Sequence, residues 1–436
     1  MIPINNWQDL QDAGLDLTET YVMQKDLLST DPDYIGIGDD FTPLGHAAGA
    51  SFSYFTGSFD ANGHKIEGLI INKPGDSRVG LFAGVGNNAS ITLPDLDGGS
   101  VTASSDVGAY VGFAGQSSSI TYTISGGVSS ATVTSAAGKA GGCIGVARYN
   151  GVISDMGSSG NVTATSGSTV GGLIGTTQNN VMQVSRCFAT GDVAGVSTVG
   201  GLIGLMGVGT FTDLFSAGNV TSSQNASANL TASGVASAPS SLGTGVIQNV
   251  YAVGQVNAPP LATVGGLIAA LGSAFTVTSS YWDTQTTGQA TSAGGTGKTT
   301  AEMYQQTTFA GWDFTPETGV WQIDEGNDYP ELQWADTGIP VPDIKGLNRG
   351  AEAESVIVAG GFTVGPATAV ASSEYSVGKV VSQNPAAGSS AAEGSLISYS
   401  YRAPLTPEQV VPDAADAAIA SGVIIDTQVQ GRSDAT

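Results

Sequence analysis

A chain of 436 residues with 41% apolar and only 11% charged residues has the composition of a folded protein, not of a disordered one. Its 37 acidic against 13 basic side chains give a formal charge of −24, which argues against binding nucleic-acid phosphates or anionic membranes. The N-terminus shows no basic run followed by an apolar one, and no apolar stretch reaches the ~18 residues of a spanning helix, so neither a secretory leader nor membrane insertion is expected.

The first 50 residues, with Trp7, Leu10 and Tyr21, are expected to cover one end of a repetitive body. From Ser53 to Asn72 runs SYFTGSFDANGHKIEGLIIN, in which Asn62-Gly63 between alternating apolar flanks predicts a hairpin or a tight corner. A Gly-rich phrase then returns at a fixed interval: VGLFAG ending at Gly84, YVGFAG at Gly115, AGGCIG at Gly145, and VGGLIG at Gly175 and Gly204. Successive final glycines are 31, 30, 30 and 29 residues apart, and VGGLIA ends at Ala269, 65 residues later, which leaves room for one degenerate copy. A period of this size means stacked units, each too small to bury its own apolar face.

A second phrase lies between the copies: GSVT at Gly99–Thr102, ATVT at Ala131–Thr134, GNVT at Gly160–Thr163, GDVA at Gly191–Ala194, GNVT at Gly218–Thr221 and GQVN at Gly254–Asn257. Short β-branched runs between Gly, Asn and Asp read as strands, and this glycine density is hostile to helix at about 1 kcal/mol per site. One strand set stacked per coil gives a parallel β-solenoid of about 30 residues per coil. Leu173, Ile203, Phe113 and Cys143 are expected to fill its interior, and the glycines to supply φ values that other residues avoid. The two cysteines read as small core residues: Cys143 stands where other copies have Leu173 and Leu202, and Cys187 where they have Leu214 and Val250. His46 and His64 lie far from both, so neither a disulfide nor a metal site is expected. The stretch Ser222–Gly245 breaks the pattern and predicts a degenerate coil or a loop. Trp282, Trp312, Trp321 and Trp334 fall in a closing segment and are expected to plug the solenoid's end, with a carbohydrate-stacking platform as the alternative.

Catalytic constellations are sparse. GGTGKTT at Gly294–Thr300 lacks the first glycine of a phosphate-binding loop, since that position is Ser292. Between Gly80 and Ser280 the acids are Asp95, Asp97, Asp106, Asp155, Asp192 and Asp213, and the bases Lys139, Arg148 and Arg186. They neither recur at one coil position nor cluster, as a glycosidase or lyase would require. Asp95 and Asp97 read as a solvated turn in preference to a cation site. Thr102, Thr134, Thr163 and Thr221 are expected to form an outward row interrupted at Asp192, explained by β propensity more simply than by ice binding. The Asn-x-Ser/Thr sequons at Asn88, Asn161, Asn219, Asn225 and Asn229 come from Thr- and Ser-rich turns and imply nothing about glycosylation without a leader. No catalytic, cofactor-binding or metal-ligating residue is therefore assigned, and no cofactor.

The copies VGGLIGTTQNNVMQVSRCFATGDVAG and VGGLIGLMGVGTFTDLFSAGNVT resemble the GLUG motif of bacterial and phage surface proteins. FTGSFDANGHKIEGLIIN resembles its lead-in, and SYWDTQTTGQATSAGGTGKTTAEM with FAGWDF and WQIDEGNDYPELQW resembles its closing segment. The resemblance covers residues 1–335 and implies adhesion or display. Beyond it, VPD at Val341–Asp343, an Ala/Glu segment near Ala351–Val358, a Gly-Phe turn and Q-x-P-x-x-G at Gln383–Gly388 resemble a PASTA domain over Val341–Tyr401. That resemblance implies a small α+β module that binds cell-wall peptides or acts as a spacer. Val411-Pro412-Asp413 resembles the start of a second copy.

The expected organisation is a cap and lead-in at 1–78, solenoid repeats at 79–280, a closing segment at 281–337, a PASTA-like domain at 338–403 and a tail at 404–436. The expected function is that of a non-enzymatic structural and adhesive protein on a bacteriophage particle, as fibre, spike or capsid decoration. Its partners would be other virion proteins and a host-surface glycan or cell wall, and its location the virion surface. A bacterial cell-surface adhesin and a polysaccharide-degrading β-helix enzyme are the alternatives.

Overall fold

The computed structural model describes residues 1–403 except 48–50, 167–168, 179–180, 224–230, 239–243, 317, 336–338, 373–374, 386, 388–389 and 392–395. Asn225, Asn229, parts of Ser222–Gly245, Gly388 and the tail 404–436 with Val411-Pro412-Asp413 lie outside the described residues. The chain divides into two units, residues 1–335 and 336–436.

The first unit is a parallel β-solenoid of about ten turns with three faces, formed by sheets of 16, 12 and 8 strands. One coil shows the plan. Met182–Ala189 lies on the first face, Val193–Gly195 and Thr198–Gly200 on the second, Ile203–Leu205 on the third, and Gly209–Ser216 returns to the first. Pairing from coil to coil is parallel and in register, with Met182 opposite Gly209, Val193 opposite Val220 and Ile174 opposite Ile203. Equivalent side chains therefore stack. Val133, Val162, Val193, Val220 and Val256 make one interior column, and Ile144, Ile174, Ile203, Ala236 and Ile268 another. Each fully buried Val or Ile contributes roughly 1.5–3 kcal/mol, which a single coil cannot achieve alone. The degenerate copy lies at Thr231–Ser233 and Ala236–Ala238, where Ala232, Val235 and Ala236 take the core positions.

The ends and corners refine the expectations. Coiling begins at Ile2–Ile4, which pairs with Thr20–Met23, so the first residues already build the first face. A short helix, Trp7–Asp12, buries Trp7 and Leu10 in the main core. At Asn62-Gly63 the chain makes a corner, not a hairpin. The flanking strands Ser58–Asp60 and Lys65–Glu67 each pair in parallel with the next coil, while both turn residues have positive φ, 52° and 76°.

At the GNVT corners, side chains substitute for strand pairing. Asn161 Oδ1 accepts from Asp192 N at 3.0 Å, Asp192 Oδ1 from Asn219 N at 2.9 Å, and Asn219 Oδ1 from Gln255 N at 3.1 Å. A backbone N–H that would be orphaned between strands is thereby satisfied in coil after coil.

The expected role of the repeated glycines holds at Gly99 and Gly115, with φ of 86° and 101°, and is corrected at the Gly-Gly corners. Gly142, Gly172 and Gly201 have no positive φ. Their constraint is proximity: a Cβ on Gly172 would lie 2.2 Å from the Gly201 carbonyl oxygen, and one on Gly201 2.1 Å from that of Gly234. Phe113 is also corrected. It is 6% exposed, but its ring packs with Phe52 and Tyr54 beneath two guanidiniums and does not join the main core. Leu173, Ile203 and Cys143 are in the core as expected.

The second unit pairs a helix, Ala351–Ala359, with a three-stranded sheet ordered Thr363–Val370, Leu396–Arg402, Val380–Asn384. The first pairing is parallel and the second antiparallel. Val341, Ile344, Ala353, Ile357, Phe362, Val380, Ile397 and Tyr399 form its core.

Gly172→Val and Gly201→Val each force three carbons against a carbonyl that has no room to move. Overpacking of this kind costs about 1–3 kcal/mol or more, so soluble yield and melting temperature should both fall, as expression trials and thermal denaturation would record.

Candidate binding surfaces

On the first face the long strands contain a left-handed residue at one fixed place. Asp155, Arg186, Asp213, Asn249 and Ser279 have φ of 55°, 51°, 57°, 54° and 44°, and the strand registers align all five in one column. Asp and Asn tolerate this region better than most residues, and Arg186 is held there by its partners. Its guanidinium binds Asp155 in a fork, with Nε and an Nη each 2.6 Å from a carboxylate oxygen. In the next coils Asn249 Nδ2 donates to Asp213 Oδ1 at 3.0 Å.

Beside this column runs a second, aromatic one: Phe188, Phe215, Tyr251 and Tyr281 stand opposite one another in successive coils. Phe188 stacks on Phe215 and Phe215 on Tyr251, each with centroids 5.1 Å apart and rings within 8° of parallel. Upstream the column stops at Gly157, where a Cβ would meet the Phe188 ring at 2.3 Å.

The closing segment lies back over both columns. Trp312 Nε1 donates to the Ser279 carbonyl at 2.9 Å, Trp321 Nε1 to Asp213 Oδ1 at 3.1 Å, and Trp334 Nε1 to the Arg186 carbonyl at 2.8 Å. Their rings pack on Phe188, Phe215 and Tyr251 in a second hydrophobic core with Met303, Phe309 and Leu332. Of the four tryptophans only Trp282 serves the solenoid's end, at the margin of the main core; the other three fasten a strap across its side. Trp312 and Trp321 have their polar edges engaged and their rings buried, so they offer no sugar platform. Sequence reasoning missed the strap because its partners are about 30 to 150 residues away. The signal present was an aromatic at one position of four successive coils.

The remaining candidates resolve into structural contacts. Thr296–Lys298 is a strand paired with Tyr281–Asp283, and Thr299 caps the four-residue helix Thr300–Met303. Hydrogen bonds from the Thr299 backbone and side chain hold Glu302 low, at about 2. These contacts leave no cradle for a phosphate. Asp95 accepts from Val128 N, Asp97 from Lys65 at 3.1 Å and Asp106 from Lys139 at 3.3 Å; Asp155, Asp192 and Asp213 have the partners given above. No group of three or more His, Cys, Asp or Glu placed to hold a metal occurs among the described residues. The threonine row is real, since Thr102, Thr134 and Thr163 stand opposite one another; it is Ala194, not Asp192, that interrupts it before Thr221.

Cys143 and Cys187 are free and buried, and Cys187 stands opposite Leu214 as expected. Burial lifts the Cys143 thiol well above its ordinary value and pushes Cys187 up to about 12. In the second unit a shallow cleft of about 470 Å³ opens on the sheet, lined by Pro366, Leu396 and short polar side chains such as Thr368, Ser382, Ser398 and Ser400, while the Tyr399 ring belongs to that unit's core.

Comparison with known proteins gives three findings. Residues 339–398 match the family model described as PASTA domain. A protein named "Putative Gly-rich membrane protein" from Evansella cellulosilytica is 42% identical over 92 residues, 20% of this chain and 10% of that protein. "Halomucin" from Haloquadratum walsbyi is 29% identical over 350 residues, 78% of this chain but 3% of that protein. This chain thus spans a small fraction of either relative. Among solved structures, one titled as a putative immunoglobulin A1 protease from Bacteroides ovatus aligns over 76% of this chain and 92% of that one, at 15% identity and a TM-score of 0.41.

Two outcomes follow from these contacts. Trp321→Ala should cost the strap about 3–5 kcal/mol, so that limited proteolysis cuts residues 299–335 faster while the β circular-dichroism signal persists. Native protein at pH 8 should resist alkylation at both cysteines, as intact-mass spectrometry would show, and take up two labels once denatured. The chain is a parallel β-solenoid of about ten turns followed by a small PASTA domain.

Proposed function

We propose that this chain is a non-enzymatic structural and adhesive protein of the cell envelope, in which the PASTA domain contacts cell-wall peptidoglycan. The observation that carries the reading is the match at 339–398 together with the open cleft on that domain's sheet. Such a cleft, shallow and open, with hydroxyl and amide groups beside Pro366 and Leu396, suits an extended peptide better than a compact ligand that needs enclosure.

The solenoid supports a structural part for the body. Each of the six aspartates between Gly80 and Ser280 accepts from a backbone or side-chain partner within the fold, a use in bracing strands and corners. Both relatives bear the names of cellular organisms, and one is named as a membrane protein. These names favour the envelope over the bacteriophage particle as the place to look first.

The test is sedimentation of the full chain with isolated peptidoglycan. The chain should pellet with it, and Thr368→Trp, which fills the cleft from an exposed position, should reduce the bound fraction several-fold. A chain that stays in the supernatant overturns the wall-binding reading. Recovery at stoichiometric copy number on purified virions, and not in envelopes, would return the protein to a particle.

A further inference from the structure

Three cations lie between Gly80 and Ser280, and two of them are neutralised: Lys139 by Asp106 at 3.3 Å and Arg186 by Asp155. Arg148 differs. At the end of Ile144–Arg148 on the third face, its Nε donates to Gln178 Oε1 at 2.9 Å, and no carboxylate pairs with it among the described residues. On a chain of net charge −24, a guanidinium without an acid is conspicuous.

Its surroundings are those of a binding patch. The guanidinium carbon of Arg148 lies 5.0 Å from the Phe113 centroid. The Arg78 guanidinium carbon lies 5.3 Å from the same centroid and 4.5 Å over Phe52. Phe52, Tyr54 and Phe113 form one aromatic cluster with centroids 4.7, 6.0 and 6.4 Å apart, in which Phe113 is buried beneath the other two. Gly84 stands between Tyr54 and Phe113 in the strand register, and Phe52 occupies the space above it: a Cβ there would lie 2.4 Å from that ring. Phe52, Tyr54 and Arg148 remain partly open to solvent. Partial burial raises the Tyr54 phenol above its ordinary value, so it stays neutral beside the patch.

We propose that this patch binds an acidic saccharide, with the carboxylate of a uronate residue on the outward N–H groups of Arg148 and the pyranose ring against Phe52 and Tyr54. A guanidinium presents parallel donors to a carboxylate, and aromatic faces suit the C–H face of a pyranose. A neutral sugar would lack the first contact and a simple anion the second. The site deepens the adhesive reading and rests on it, but it is separate from the PASTA cleft.

The experiment is isothermal titration of the full chain with tetragalacturonate, and with cellotetraose and sodium acetate as comparators. Saturable binding of tetragalacturonate alone, weakened by salt, is expected. Arg148→Gln should reduce affinity about tenfold and Arg148→Lys by less, whereas Lys139→Gln should leave it unchanged; thermal melts establish that each variant is folded. Absence of saturable binding, equal binding of cellotetraose or acetate, or a folded Arg148→Gln variant that binds as the parent does would overturn the site. A protein that pellets with peptidoglycan yet ignores tetragalacturonate loses this site and keeps the wall-binding reading.

Discussion

The solenoid depends on one constraint: at the corner that runs from Gly142 through Gly172 and Gly201 to Gly234, each backbone meets the next coil's carbonyl with no space for a side chain. Parallel strands stacked in register impose a single spacing on everything above and below them. A side chain at the corner would wedge the coils apart, and the Val and Ile columns inside would lose contact together. The repeat is therefore conserved within the chain where the backbone is crowded. It drifts where only packing is at stake, as in the copy that reads Thr231-Ala232-Ser233-Gly234-Val235-Ala236. Gly234 survives there although its neighbours have changed.

A stack built this way has two exposed problems, its ends and its outer faces. Trp7 and Leu10 join the main core near the N-terminal end, and at the other end Trp282 packs on Gly266 and Phe275 on Gly245. The strap addresses the side. It binds a column of left-handed residues whose carbonyls and side chains point outward where regular strands would have paired them, and its indole N–H groups satisfy three of these. Strain at the column and recognition by the strap are thus two sides of one arrangement.

Much of this was legible in the sequence because a period is a local signal. The interval of about 30 residues gave the coils, the register of Cys187 with Leu214, and the place of the degenerate copy. The PASTA module was legible from Val341-Pro342-Asp343 and the helix at Ala351–Ala359. What stayed hidden depends on three-dimensional neighbours. Gly172 could not be assigned to crowding in preference to turning without its distance to Gly201. Phe113 occupies a repeat position that is interior in pattern, yet its ring turns outward because Phe52 and Arg78, from before the repeats, cover it. Trp321 could not be linked to Asp213 across 108 residues of sequence.

The strap also divides the solenoid mechanically. Upstream of Gly157 the strap's contacts dwindle to Val128, and a coil is held chiefly by its immediate neighbours, so its opening is a nearest-neighbour event that can proceed one turn at a time. Downstream, one continuous segment touches the coils of Phe188, Phe215, Tyr251 and Tyr281, and no one of them can leave without breaking contacts that belong to the others. Under tension the first region would yield as a series of small steps and the second as a single large one. The same chain therefore contains an extensible spring and a rigid block, and the boundary between them is set by whether a phenylalanine or a glycine occupies one position of the coil.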